Sequence, residues 1–229
     1  MATQPAVQSE IVDALSALPV DVAPSTTNVR RFRINVLGPI TIDGLPAGDR
    51  LSRRSIELLV CLALRRQASG PEFDEALWHG MRVERRTRNS LVYRTRQRVG
   101  PNILPTIDAD GIYSLGDAVA CDWTEFQALA HQGLAAGPEG IADLQAALDL
   151  VRDRPLLGIP DSSYSWSEYD IQNLISAIAD AAHVLARMHA EIGDHHAAMR
   201  AATKGLLADL EPQQLGSGDV QVGEGHLLC

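Results

Sequence analysis

The sequence predicts an α+β chain, with a small mixed unit of strands and helices ahead of an all-helical half. Three observations carry this. Apolar and polar residues alternate near the start, with Phe32, Ile34 and Val36 set around Arg33 and Asn35, which is the period of a strand. Beyond Asp122 the apolar residues recur every three to four positions, the period of a helix. Between the two, three helical patterns are followed by a pair of strand-like runs about an Asp/Gly turn.

Residues 1–28 are rich in Ala, Pro, Ser and Thr without a sustained period and read as a flexible leader. The strand at Phe32–Val36 is followed, after Leu37-Gly38, by a second at Pro39–Ile42 that Asp43-Gly44 closes, giving a pair of short strands. Ser52 is placed to cap a helix running to about Arg66, with Ile56, Leu59, Val60, Ala63 and Leu64 on its inner face. Ser69-Gly70-Pro71 breaks the chain before a short helix over Glu72–His79, whose apolar residues are Phe73, Leu77 and Trp78. A third helix starts at Thr87 or Asn89 and stops at Gly100-Pro101. Val92, Thr95 and Val99 form its inward seam, leaving Ser90, Leu91, Arg94 and Arg98 to project elsewhere. Ile103–Ile107 and Ile112–Leu115 then flank Asp108-Ala109-Asp110-Gly111 as a β-hairpin. Strands, three helices and a hairpin, in that order, make a winged helix-turn-helix.

Asp122 is placed to cap the next helix, with Glu125 in capping-box position. Ile141, Leu144, Leu148 and Val151 make one helical stripe; Ile171, Leu174, Ile178, Ala182, Leu185, His189 and Ile192 make a longer one. Gly193-Asp194 interrupts it, and Ala197–Leu207 is a further helix. The Gly-rich end carries no pattern, and 213–229 reads as a flexible tail.

Charge is distributed unevenly. Between Arg30 and Gly100 there are fifteen arginines and no lysine against seven acidic residues, a local +8 in a chain of net −9. Seven of these arginines (Arg82, Arg85, Arg86, Arg88, Arg94, Arg96, Arg98) lie on or just before the third helix, with Glu84 the single acid over 82–98. An ordinary solvated face mixes its signs, whereas a one-signed patch on an acidic protein is the footprint of phosphate contact.

Composition excludes other classes. An apolar content of 45% supports a packed core, while 4% aromatics is too few for an interface built on stacked bases. Cys61, Cys121 and Cys229 have neither zinc spacing nor an even count for disulfides; Cys61 reads as a small buried hydrophobe, and a reducing, cytoplasmic setting is expected. No apolar run approaches the roughly 18 residues of a membrane span, and no signal peptide is evident. His195-His196 beside Asp194 point in different directions from a helix start and have no further ligand at metal spacing. His183 and His189 read as packed or rim residues, and Trp78, Trp123 and Trp166 as core anchors. With no nucleophile–base constellation, no enzyme is expected, and no cofactor, metal or small-molecule substrate.

Several segments carry a resemblance. Val36-Leu37-Gly38-Pro39-Ile40, Ala76-Leu77-Trp78, Asn89-Ser90-Leu91, Arg94-Thr95-Arg96-Gln97-Arg98-Val99-Gly100 and Tyr113-Ser114-Leu115 resemble the OmpR-type winged helix of SARP-like regulators of actinobacteria. Val119-Ala120-Cys121-Asp122 through Ala147–Arg152 and Pro155-Leu156 look like the start of the bacterial transcriptional activator domain (BTAD) that follows it in that family. Gly193-Asp194-His195-His196-Ala197-Ala198 with Gly205-Leu206 is similar to a tetratricopeptide helix pair. The resemblance spans about residues 30–212. It implies a winged-helix domain at 30–116 and an all-α, tetratricopeptide-like domain at 122–212, short for a full activator domain. It implies a regulator that binds double-stranded promoter DNA, with RNA polymerase and a second copy of the chain, as a homodimer, for partners.

By position, the resemblance points to Arg86, Thr87, Ser90, Leu91, Tyr93, Arg94 and Arg96 as the DNA-contacting set. Arg94 is the expected base reader, because a guanidinium can fork onto guanine O6 and N7. Arg82, Arg85, Arg86 and Arg88 are expected on phosphates, which position the protein without reading sequence, and Arg98 faces phosphate or solvent. One departure stands out. In similar proteins the wing commonly carries a basic residue, whereas Asp108 and Asp110 make this tip acidic and repelled by phosphate. That favours an alternative: a protein-interaction module with a winged-helix fold that has lost DNA binding, within a larger membrane-associated protein.

Overall fold

The structure, a computed structural model, describes residues 32–45, 50–157 and 165–210; the expected leader and tail lie outside the described residues. Its elements in chain order are β1 (Arg33–Asn35), β2 (Thr41–Asp43), α1 (Arg53–Arg65), β3 (Gln67–Ser69), α2 (Gly70–Leu77), α3 (Arg85–Val99), β4 (Ile112–Ser114), β5 (Ala120–Cys121), α4 (Asp122–Ala136), α5 (Ile141–Asp149), α6 (Glu168–Glu191) and α7 (His195–Asp209). The fold is mixed α+β, mostly helical, with two small sheets ordered β2-β1-β5 and β3-β4.

α1 is the central helix. Ser52 caps it as expected, its hydroxyl accepting the Ser55 N–H at 3.1 Å. Leu58 to Ala63 are all buried, so the helix is enclosed on every side rather than on the single expected face. β3 follows it directly. The sequence offered only a break here, yet Gln67–Ser69 pairs antiparallel with β4. The expected hairpin is therefore corrected. The partner of the 112–114 strand is β3, not 103–107, and the latter segment contributes the Ile103 carbonyl to Gly116 N–H at 2.9 Å. At the tip, Asp108 Oδ1 accepts the Ile112 N–H at 2.7 Å, which spends the acid on shaping its own turn.

α2 begins earlier than expected, at Gly70, with Pro71 in its first turn. The Ser69 N–H donates to Glu72 at 2.7 Å and holds that carboxyl below its ordinary range. α3 also starts earlier, at Arg85, and ends where expected, at Gly100 with φ +94°.

The strand-bearing part and the helical half share a joint. β5 runs parallel to β1 and passes without a loop into α4. Asp122 does not cap α4, as the spacing suggested. Its carboxylate, 1% exposed, turns back to accept the N–H groups of Val36 (2.8 and 2.9 Å) and Leu37 (3.0 Å) at the end of β1. Glu125 likewise leaves the cap and pairs bidentately with Arg33, both contacts 2.8 Å. The Arg152 and Leu156 N–H groups reach the Leu37 and Val36 carbonyls at 2.8 and 2.9 Å, so β1 is clamped from two directions.

The helical half is built of two hairpins. α4 and α5 meet at glycines, where a Cβ on Gly140 would lie 1.9 Å from the Gly133 carbonyl. α6 and α7 meet along Leu174, Ile178, Ala182 and Leu185 on one side and Ala197, Ala201, Gly205 and Ala208 on the other. Small residues on α7 let the backbones approach closely. Asp194 caps α7 through the Ala197 N–H at 2.9 Å, which holds its carboxyl below its ordinary range. Two of the stripe residues depart from expectation: Ile192, past the end of α6, is 67% exposed, and Ile171 is half-buried. No helix among the described residues is long and apolar enough to cross a membrane.

Cys61 and Cys121 are buried, and burial pushes their thiols up to about 12 and about 11 respectively. A thiol so far above neutrality supplies almost no thiolate. Both are expected to resist iodoacetamide at about pH 8 in the native protein and to react after denaturation, as read by peptide mass mapping. Fast native labelling of either would contradict this packing.

Candidate nucleic-acid interface

α3 is held by its inner stripe. Leu91 (5% exposed) and Thr95 (0%) are buried, flanked by half-buried Val92 and Val99. The Thr95 hydroxyl lies 2.9 Å from both the Leu91 carbonyl and Ser55 Oγ, and Ser55 Oγ lies 2.9 Å from Ser52 Oγ. This hydroxyl chain fixes α3 against the capped start of α1. With 3.6 residues per turn, the crest opposite the stripe carries Arg86, Ser90 and Tyr93, all exposed. Thr87, Arg94 and Arg98 follow on one flank, also exposed; Arg85 and half-buried Arg96 lie on the other. Arg82 is exposed in the turn before the helix.

The Thr87–Arg94–Arg98 flank borders a cleft of about 400 Å³. Its opposite wall is the start of α1, with Arg50, Ser52 and Arg54, and Trp78 at the end of α2 contributes as well. Four arginines line it, and no carboxylate is among the described lining residues. Arg94 is poised on its own helix, its Nε donating to the Ser90 carbonyl at 3.2 Å. Such a concentration of guanidinium groups around a concave surface attracts a polyanion.

Two expected contact residues are drawn inward. Leu91, 5% exposed, belongs to the core and shows only its edge at the floor of the cleft. Arg88, half-buried, donates to the Gly70 carbonyl at 3.1 Å and forms an ion pair with Asp74. It ties α3 to α2 rather than facing phosphate. The buried stripe is wide: at 3.6 residues per turn Arg88, Leu91, Val92, Thr95 and Val99 share one side of the helix, and an arginine at its edge survives there only with a paired carboxylate. Arg50 and Arg54 were missed by sequence reasoning. The available signal was the Ser52 cap itself: arginines beside a helix N-terminus lie where the backbone N–H groups also favour anions.

No family model matches the sequence, and no curated protein does. Among solved structures, Mycobacterium tuberculosis EmbR in complex with a low affinity phosphopeptide aligns with TM-score 0.61 at 23% identity. The alignment covers 75% of this chain and 48% of that one. The chain is similar to EmbR in fold. At that identity the likeness speaks for architecture alone, and this chain spans about half the length of the EmbR chain.

Proposed function

We propose that the chain is a DNA-binding transcriptional regulator of the SARP-like, OmpR-type kind, non-enzymatic and cytoplasmic. Residues 30–116 act as a winged helix-turn-helix that lays α3 in the major groove. The tetratricopeptide-like half at 122–212 serves regulation or dimerisation. The observation that carries this is the cleft: α3 and the start of α1 present Arg50, Arg54, Arg94 and Arg98 on one surface, with no acid among the described lining residues. The fold shared with EmbR and the sequence resemblance support it.

The roles follow from position. A major groove about 12 Å wide admits one helix, so the α3 crest and its cleft-side flank face base edges, with Arg86 and Ser90 on the crest and Arg94 on the flank the polar readers. Phosphates pass on both sides, against Arg50 and Arg54 across the cleft and against Arg82 and Arg85 at the leading turn. The α1 start fits a phosphate for a second reason, since its N–H groups and dipole add to the arginines. The acidic tip at Asp108 and Asp110 leaves the wing outside the contact, so affinity rests on α3, α1 and pairing of two copies. RNA polymerase and a second copy are the partners suited to the helical half.

Fluorescence anisotropy on a selected genomic site and on random DNA, over a salt series, tests this. Arg94→Ala is expected to weaken the selected site by about 1–3 kcal/mol while leaving random DNA nearly unchanged. Arg85→Ala is expected to weaken both alike and to reduce the salt slope by about one. Absence of binding, or affinity indifferent to salt, would refute the proposal in favour of an interaction module.

A further inference from the structure

We propose that Trp166, in the helical half, is a positioning residue for the arginine cleft, acting through Glu57 on Arg54. The inference rests on the function proposed above but starts from a separate set of contacts. Trp166 lies in the short turn Ser165–Ser167 that leads into α6. Its indole Nε1 donates to Glu57 Oε1 at 3.3 Å, across 109 positions of sequence. The Glu57 side chain is 2% exposed, and its other oxygen meets Arg54 Nη1 at 2.7 Å. The same Nη1 donates to the Leu77 carbonyl at 2.5 Å, at the end of α2. Arg54, 45% exposed at the side chain, thus emerges into the cleft from a grip that Trp166 completes.

Trp166 is itself fixed. The Arg65 guanidinium sits 4.9 Å from its ring centroid, Arg65 Nη2 donates to the Trp166 carbonyl at 3.4 Å, and Arg65 pairs with Asp170 on α6 at 3.5 Å. An exposed arginine does not need a buried glutamate beneath it, and a core glutamate is costly to keep. What the arrangement provides is a line of contacts from the start of α6 to a cationic group on the DNA-facing surface. Physically, a carboxylate that receives an indole N–H has part of its negative charge satisfied and draws less strongly on Arg54. Remove that donor, and Glu57 competes better with phosphate for the guanidinium. A partner that moves the start of α6 would act through the same line.

The test is a double-mutant cycle with Trp166→Phe and Arg54→Ala in the full chain, read by DNA anisotropy. Phe keeps an aromatic ring beside Arg65 and deletes the donor. Trp166→Phe is expected to weaken DNA binding about 3- to 10-fold, and by less than about 2-fold when Arg54 is already Ala. Glu57→Gln, which removes the charge that competes with phosphate for Arg54 while leaving Trp166 in place, is expected to change DNA binding in the opposite direction and serves if the Phe variant misfolds. In the DNA-free protein, the Arg54 Nε–H resonance of arginine-labelled material is expected to shift on Trp166→Phe. An equal loss in both Arg54 backgrounds, or an Arg54 resonance that stays in place, overturns the relay. A wild-type chain that ignores DNA while the resonance shifts would instead sink the DNA reading and leave the relay standing.

Discussion

Asp122→Ala is expected to lower the unfolding free energy by about 3–5 kcal/mol, measured by urea denaturation. The carboxylate is 1% exposed and receives the Val36 and Leu37 N–H groups at 2.8–3.0 Å, with Arg152 Nη2 at 3.5 Å. Alanine strands both backbone donors where water does not replace the oxygens. Each buried N–H left unpaired costs about 1–3 kcal/mol, and charge-assisted bonds stand at the upper end of the hydrogen-bond range. Asp122→Asn keeps one acceptor and turns an amide N–H toward the second donor, so its loss is expected to fall between wild type and Ala. The consequence reaches beyond stability. Asp122 joins the end of β1 to the first helix of the helical half, so its loss is expected to loosen the joint first, as faster amide exchange at Val36 and Leu37. A destabilisation below about 1 kcal/mol would show that the clamp is not formed.

Leu91→Ala is expected to cost about 2–4 kcal/mol of stability while leaving the DNA affinity of the folded protein nearly intact. The residue is 5% exposed and packs in the core behind α3, so truncation opens a cavity between that helix and α1. A residue on the groove-facing crest would behave in the opposite way, losing affinity with an unchanged melting transition. The two measurements together decide between the burial seen here and the contact role that sequence position suggested. An affinity loss of more than about tenfold at unaltered Tm would return Leu91 to the interface.

The main helices were legible because each carries its own period and punctuation. Ser52 before the α1 run, Gly100 after α3 and Gly193-Asp194 between α6 and α7 are local signals, and all act in the structure as helix ends. The misassigned pieces have a common cause. β3 is three residues with no alternation long enough to notice, and it exists because β4 supplies its hydrogen bonds from 45 positions away. Asp122 and Glu125 match a capping box by spacing, yet stronger partners from β1 reach them first. Within α3 the seam was set correctly at Val92, Thr95 and Val99 but drawn too narrow, and a stripe wide enough to pack against two helices takes in Leu91 and Arg88 as well.

By itself, then, the amino-acid order determined the mixed class of the fold, the positions of its helices and the concentration of positive charge near residues 82–98, because periodicity, punctuation and charge are written in neighbouring residues. Tertiary packing alone decided which arginines share a surface. Arg50 and Arg54 come to face Arg94 and Arg98 only when Thr95 closes on Ser55, and Arg88 is withdrawn only when Asp74 comes within reach. Those outcomes depend on distances between residues far apart in the chain, which no local pattern encodes.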